Sequence, residues 1–416
     1  MYSNCKLLIT YLALTLILFS CKTDKELEES ITDKPLSRVD LTEAELYDKV
    51  LGMMVGSAIG DAMGTPTEMW TREEIWMEYG WVSKLDSMVR EKSPEGIWEA
   101  NLPAGGTTDD TRWKVLIMEY LSQQNGNTLN ESKWVRKIYE QYQNDLSRFK
   151  QLNPEQPEDF EAQQLRVLWL QEWAKVSKPF LDNDLQKYAG ALNKFYGGEM
   201  VCGGLLYGPA IGLFFPQDPE KAYKEAFKLS IFDIGYAKDL SALSAAMVSV
   251  AMQRDLDPQH MLEVIRSTDP EGYFDSRLVG RVAYRILRQA LSISQQAKQE
   301  KNEDVPFGKE DPSVKKAFEL LDEQQQDMPF HAGEIFLQVL TAMLFTDFDF
   351  EQSMQFLVNY GRDNDTTASL AGAILGTYYG FERLPDHLKY KCLDTNKEML
   401  GIDMEALSKH FVKNWR

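Results

Sequence analysis

The sequence predicts an all-α fold, and three observations carry that expectation. Apolar residues recur at helical spacing in segment after segment, among them "LYDKVLGMMVGSAIGDAMG", "LSALSAAMVSVAMQRD" and "GEIFLQVLTAMLF". Alternating strand-like runs are scarce; short pieces around 80–90 and 98–104 read as strands or turns. Glycines recur every fourth residue near both ends of the chain: Gly52, Gly56, Gly60 and Gly64, then Gly372, Gly376 and Gly380. Each glycine costs a helix about 1 kcal/mol relative to alanine. A row of them on one face points to a second helix in close contact, which offsets that cost through packing. A ligand against bare backbone is the competing reading. A membrane GxxxG reading is poor, because Asp61 interrupts a short segment. If both glycine-faced helices are central, the two ends of the chain meet in one core.

The N-terminal residues read as a targeting segment. "MYSNCK" carries one lysine and is followed by the apolar run "LLITYLALTLILF", which is too short to span a bilayer comfortably. The run ends in "LFSC", which resembles the lipobox of bacterial lipoproteins. That resemblance makes residues 1–20 a lipoprotein-type signal peptide and Cys21 the lipidated mature N-terminus. It places the chain in the bacterial cell envelope, held to a membrane only through that lipid. An ordinary signal peptide or an N-terminal anchor is the alternative. Residues 22–40, "KTDKELEESITDKPLSRVD", are charged and poor in apolar side chains; residues 21–40 thus read as a lipidated start followed by a flexible tether. From residue 41 to 416 the sequence reads as one all-α domain. "LTEAEL" opens it with Thr42 as N-cap and Glu45 three residues on, a capping box.

Further helices are expected over "TRWKVLIMEYLSQQ", "KAYKEAFKLSIF", "PQHMLEVIRS", "RLVGRVAYRILRQALSISQQ" and "FEQSMQFLVNYG". Segments near 125–200 and 300–330 are rich in Gln, Glu and Lys and read as peripheral or inserted helices and loops. With 44% of 416 residues hydrophobic, the chain has material for a large core. A formal net charge of −19 disfavours nucleic acid and anionic lipid as non-specific partners. Cys202 and Cys392 do not make a disulfide framework, and with no CxxC or Cys/His cluster a sulfur-ligated zinc site is not expected.

Three polar clusters punctuate the helices: "GDAMGTPTEMW" with Asp61 and Glu68, "GGTTDDTRW" with Thr107, Thr108, Asp109, Asp110 and Thr111, and "GRDNDTTASLAGAILG" with Asp363, Asp365 and Thr366. Either of the last two alone reads as a helix cap, since Asp and Thr accept hydrogen bonds from free N–H groups and negative charge suits a helix N-terminus. Together they hold more carboxylates than capping needs. Hard cations such as Mg²⁺, Mn²⁺ and Ca²⁺ take carboxylate and hydroxyl oxygens. If the two helix starts face each other, they supply enough ligands for two divalent ions about 3.5–4 Å apart, a spacing that clamps or activates oxygens.

"GSAIGDAMGTPTE", "TTDDT" and "GRDNDTTASLAGAILG" occur in this order and resemble the motifs of the ADP-ribosylglycohydrolase family, over roughly residues 48–385. The resemblance implies a compact orthogonal helical bundle and a binuclear centre of Mg²⁺ or Mn²⁺. Carried over by position, it implies Thr108, Asp109 and Asp110 as metal ligands from one side and Asp363, Asp365 and Thr366 from the other. It sets Glu68 beside the metals and gives Asp61 a structural role. The implied reaction is hydrolysis of a glycosidic bond at the anomeric carbon of an ADP-ribosyl or related ribosyl substrate, with Asp110 or Glu68 moving the proton. Two stretches depart from the family pattern: "SIFDIGYAKDLSALSAAM" lacks a histidine and "VCGGLLYGPAIGLFF" lacks an arginine. They leave open an exported glycoside or nucleoside hydrolase that does not act on ADP-ribose, and a non-catalytic binding protein on the same fold. Asp233, Tyr236 and Asp239 are either replacement contacts or buried helix-end residues. His331 reads as a helix-start residue rather than a ligand.

Overall fold

Thr42 opens the first helix as its sequence asks. Its hydroxyl accepts from the Glu45 amide at 3.2 Å, and the Glu45 carboxylate accepts from the Thr42 amide at 2.6 Å. The computed structural model describes residues 31–32, 36–88, 101–126, 128–151, 167–270, 272 and 276–415. The signal segment, the lipobox and Cys21 lie outside the described residues. The last residues of the expected tether lie against the folded part: the Ala44 amide donates to the Thr32 carbonyl at 2.9 Å, and Asp40 pairs with Arg254 at 2.8 Å.

Seventeen α-helices follow among the described residues, and no β-strand. They are α1 Glu43–Gly64, α2 Arg72–Glu78, α3 Asp109–Leu121, α4 Glu131–Phe149, α5 Gln171–Leu181, α6 Leu185–Leu192, α7 Gly208–Phe214, α8 Pro219–Leu229 and α9 Ala237–Ala251. The rest are α10 His260–Ser267, α11 Val282–Lys298, α12 Pro312–Asp322, α13 Ala332–Phe345, α14 Phe350–Tyr360, α15 Asn364–Tyr379, α16 Asp386–Thr395 and α17 Met404–Asn414. Of the pieces around 80–90 and 98–104, the described residues hold one antiparallel bridge, Met88 to Leu102, and no strand.

The centre of the fold is the pair α1–α15, packed along their lengths. From Leu51 to Gly64 every residue of α1 is buried, and so is every residue of α15 from Asn364 to Thr377. The glycines explain how two backbones come so close. A Cβ at Gly52 would sit 2.4 Å from the Gly376 carbonyl oxygen, one at Gly56 2.4 Å from that of Gly372, and one at Gly60 2.1 Å from that of Ala368. The row is a packing face and not a ligand platform. At its end, a Cβ at Gly64 would lie 2.4 Å from the Cα of Asp365. The same close contact that ties the chain ends together therefore seats the acidic start of α15 beside the end of α1. Helices α7–α10 cover one flank through α9, α11–α14 cover the other through α13 and α14, and α3 lies across α1 and carries α4.

Candidate active site

Asp61 builds the start of α3. It is fully buried, and its carboxylate accepts from the Thr108 amide and hydroxyl, both at 3.0 Å, and from the Thr111 amide and hydroxyl at 3.0 and 2.6 Å. These bonds satisfy N–H groups that a helix start leaves open. They also free Asp109 and Asp110 from capping duty, which supports the structural reading of Asp61. Thr108 is the N-cap, accepting from the Asp110 amide at 3.4 Å.

A second loop brings the other half. α14 ends at Gly361, with φ +90°, where a Cβ would meet the Trp70 carbonyl at 2.7 Å. Arg362 follows, also left-handed at φ +66°, and is held by paired bonds of 2.8 Å to Glu334. Its carbonyl accepts from the Met69 amide at 2.7 Å, and its amide donates to the Trp70 carbonyl at 3.2 Å. This short pairing draws the Glu68–Trp70 loop alongside Asp363–Asp365. Asn364 anchors the turn with bonds of 2.9 Å to the Thr67 hydroxyl and the Val358 carbonyl. Asp363 stands at the N-cap of α15 yet makes no capping hydrogen bond. A cap is therefore not what its carboxylate is for.

The two halves meet. The Thr366 hydroxyl donates to Asp110 at 3.0 Å, and the Thr108 hydroxyl lies 3.5 Å from Asp365. One carboxylate oxygen each from Glu68, Asp363 and Asp365 falls within 4.8 Å of the others. Glu68, Asp110, Asp363, Asp365 and Thr366 are all buried. Together with Asp109 they line one cleft of about 500 Å³; Thr108 stays just behind it, its hydroxyl turned to Asp61.

Burial and mutual repulsion push these acids up. Burial first, then the charge of Asp110, raises Asp363 to about 7 and Asp61 to about 6; hydrogen bonds from Thr111 and Thr108 oppose the shift at Asp61. Asp365 is raised well above the usual carboxylate range by burial and by the charges of Glu68, Asp363 and Asp110. The donor set is hard oxygen throughout and its charges repel, an arrangement that a divalent cation relieves. The sign of the linkage follows. The folded, metal-free site holds protons that the unfolded chain has released, so metal-free stability falls as pH rises from about 4 through about 7. Ligands must be ionised to bind metal, so affinity moves the opposite way. We expect Mn²⁺ affinity by calorimetry to rise about tenfold or more between pH 5.5 and 7.5, with proton release; a pH-independent affinity contradicts this.

The far wall of the cleft comes from residues that the sequence did not single out. Leu168, Gln171, Glu172, Trp173 and Tyr196 line it, with Cys202, Leu206 and Phe330. Trp173 sits on α5, in the Gln- and Glu-rich segment read as peripheral or inserted helices and loops. It is not peripheral: its ring packs 4.1 Å from that of Trp113 on α3, centroid to centroid. The signal was the density of tryptophans in an otherwise polar stretch. The mid-chain candidates are structural. Asp233 accepts from the Gly204 amide at 2.7 Å and the Ser241 hydroxyl at 2.6 Å, shaping the turn behind Cys202. Asp239 pairs with Arg281 and accepts from the Tyr223 hydroxyl at 2.8 Å. Tyr236 and His331 line a separate cleft with Arg285 and Glu334, and His331 caps α13 through the Gly333 amide. Cys202 and Cys392 are buried and free.

Comparison with known proteins agrees with this geometry. The model of the family described as ADP-ribosylglycohydrolase matches residues 42–416. The ADP-ribosyl-[dinitrogen reductase] glycohydrolase of Rhodospirillum rubrum is 32% identical over 77 residues, 18% of this chain and 23% of that protein. An uncharacterized Escherichia coli (strain K12) protein, YegU, is 28% identical over 79 residues, 19% of this chain and 22% of that protein. The matched segment thus spans less than a quarter of the length of either relative. A solved structure described as an ADP-ribosylglycohydrolase-related protein complex shares the fold, with TM-score 0.54 and 18% identity over 90% of this chain and all of that one. An all-α bundle, two acidic helix starts brought together by a glycine-faced helix pair, and a family match over nearly the whole chain lead to one conclusion: the chain belongs to the ADP-ribosylglycohydrolase family.

Proposed function

We propose that the chain hydrolyses a glycosidic bond at the anomeric carbon of an ADP-ribosyl or related ribosyl substrate, using divalent cations, Mg²⁺ or Mn²⁺. The observation that carries this reading is the convergence of Glu68, Asp363 and Asp365 within 4.8 Å in the lining of a cleft. Thr108, Asp109, Asp110, Asp363, Asp365 and Thr366, with Glu68, are the residues that would hold the cations. When bound, the cations polarise sugar oxygens and acidify a nearby water. The protein's own contribution is to fix the ligands from two rigid helix starts and to exclude bulk solvent with Trp173, Tyr196, Leu206 and Phe330. A carboxylate must also carry the proton. Asp110, which accepts from Thr366 at 3.0 Å and lies 3.4 Å from Lys114, and Glu68 are the two candidates for that role.

A second reading has its own support. The described lining residues are acids, glutamine, small residues, and aromatic or aliphatic side chains. That composition suits a neutral sugar and a flat base more than a diphosphate, and favours an exported nucleoside or glycoside hydrolase. Lipidation at Cys21, with residence in the bacterial cell envelope, belongs to the same proposal and rests on the N-terminal sequence.

Assays of the purified protein on ADP-ribosyl-arginine, ADP-ribosyl-serine, nucleosides and simple ribosides, with Mn²⁺, Mg²⁺ or EDTA, separate the readings. Metal-dependent release of ADP-ribose supports the first. Turnover confined to nucleosides or other glycosides supports the second. Metal binding without any turnover would point to a binding protein and sink both.

A further inference from the structure

The cleft beside the acidic one has the opposite charge, and nothing above assigns it a role. It holds about 480 Å³ and is walled by α11, by the start of α13 and by Tyr236. The two clefts are neighbours: Phe330 lines the acidic one, and His331, the next residue, lines this one. Helix α11 carries no Asp or Glu, although acids outnumber bases 64 to 45 in the chain. Arg285 and Arg288 stand on it one turn apart, and both line the cleft. Both are exposed, and no carboxylate among the described residues pairs with either. Arg281, just before the same helix, is by contrast committed to Asp239. Glu334 is the one acid among the described lining residues, and it is buried and already matched. Arg362 binds both its oxygens at 2.8 Å, and the Gln326 amide and Gln338 side chain donate to it at 2.7 and 2.9 Å. The cleft therefore presents uncompensated positive charge in a chain of formal charge −19.

Neutral donors stand near the two arginines. A Cβ at Gly333 would lie 2.8 Å from the Tyr236 hydroxyl, so the bare glycine lets that hydroxyl reach the foot of α13. Burial raises the Tyr236 pKa, and the charge of Arg285 opposes that rise. Burial lowers the His331 pKa, and its Nδ1 accepts from the Gly333 amide at 3.2 Å. The neutral ring thus carries its proton on Nε2, as a donor. We propose that this cleft binds the phosphate group of a small phosphorylated ligand, with Arg285 and Arg288 as its two guanidinium forks. Two forks one turn apart match the three oxygens of a phosphate monoester better than the two of a carboxylate. The volume is that of a small-molecule site. The acidic cleft repels such a group in the absence of metal, so the division of charge sorts the phosphate to this one. Two sources carry that chemistry: a separate phosphorylated ligand, and the phosphate end of a ligand whose sugar lies in the acidic cleft. The proposal does not rest on the glycosidase reading.

The test is binding by metal-free protein. The purified protein, freed of metal and chelator, is titrated calorimetrically at low salt with inorganic phosphate, AMP and adenosine. We expect phosphate and AMP to bind at one site, adenosine to bind at least about tenfold more weakly than AMP, and AMP affinity to fall as salt rises. Arg285→Gln and Arg288→Gln, at exposed positions where substitution spares the fold, should each weaken AMP at least about tenfold. Lys298→Gln removes a charge from the same helix outside the cleft and should leave AMP binding unchanged. Equal binding of AMP and adenosine overturns the proposal, as does AMP affinity unchanged in both arginine variants. Folded protein that binds neither phosphate nor AMP overturns it as well. ADP-ribose then identifies the source. If Mn²⁺ tightens its binding and the arginine variants weaken that complex, the phosphates belong to a ligand spanning both clefts. If the Mn²⁺-dependent binding is absent or untouched by the variants, the cleft takes the phosphate of a separate ligand. Failure of the glycosidase reading would show as absent turnover, which the metal-free titration does not depend on.

Discussion

Asp365→Asn is expected to lower divalent-metal affinity by more than about 100-fold and to take turnover down with it. Residues that merely orient metal ligands cost 10–100-fold when lost, and Asp365 presents an oxygen directly into the converging group. The same variant should melt at a higher temperature than the unaltered protein when both are metal-free at pH 7.5. The reason is electrostatic. Asp365 is buried among Glu68, Asp363 and Asp110, whose charges and whose burial resist its ionisation. Removing the carboxyl removes that penalty, which a cation relieves and which a bound proton relieves only at the cost of holding it at a pH where the unfolded chain has released it. A purely structural carboxylate makes the opposite prediction, a lower melting temperature, because its hydrogen bonds would be lost. Calorimetry with and without Mn²⁺ reads both effects, and a variant that is less stable and still binds metal tightly rules this role out.

Gly60→Ala is expected to destabilise the protein by about 3 kcal/mol or more, at the upper end of what overpacking a core costs. The new methyl would sit 2.1 Å from the carbonyl oxygen and 2.2 Å from the carbonyl carbon of Ala368. These are backbone atoms of a buried helix and cannot step aside as a flexible side chain can. The gain in helix propensity, about 1 kcal/mol, does not offset that. Gly190→Ala in α6 is the control: nothing lies within 4 Å of its added Cβ, so the propensity gain should appear alone. Urea denaturation compares the two. Metal affinity should fall in Gly60→Ala as well, since forcing α1 from α15 also parts Asp61 and Glu68 from Asp365. If Gly60→Ala is as stable as the unaltered protein, the glycine row is not what holds the pair together.

Much of this was legible in the residues. The four-residue glycine spacing announced a close helix pair because no other residue permits such contact, and each partner carried its own row. The Thr42–Glu45 capping box marked the start of α1 because both of its hydrogen bonds are local. The excess of carboxylates over capping need marked the site, and Asp363 indeed makes no cap bond. What escaped was set by distant neighbours. Trp173 lies in a polar stretch whose periodicity says nothing of the cleft it walls. Asp233 and Asp239, read as either replacement contacts or buried helix-end residues, prove to be the latter and serve the Gly204 amide, Ser241, Tyr223 and Arg281.

Lys114 shows the division most plainly. In sequence it is a lysine four residues after an aspartate, the pattern of a solvated surface pair worth a few tenths of a kcal/mol. Only α15, arriving from more than 250 residues away with Ser369 at 2.8 Å, buries it and points its charge at the site. The sequence by itself determined the helices, the close pair and which acidic side chains come to the cleft, because propensity, spacing and side-chain chemistry are local. The tertiary structure decided which charges face one another and how dry they are, because an electrostatic interaction depends on distance and on the surroundings that packing alone creates.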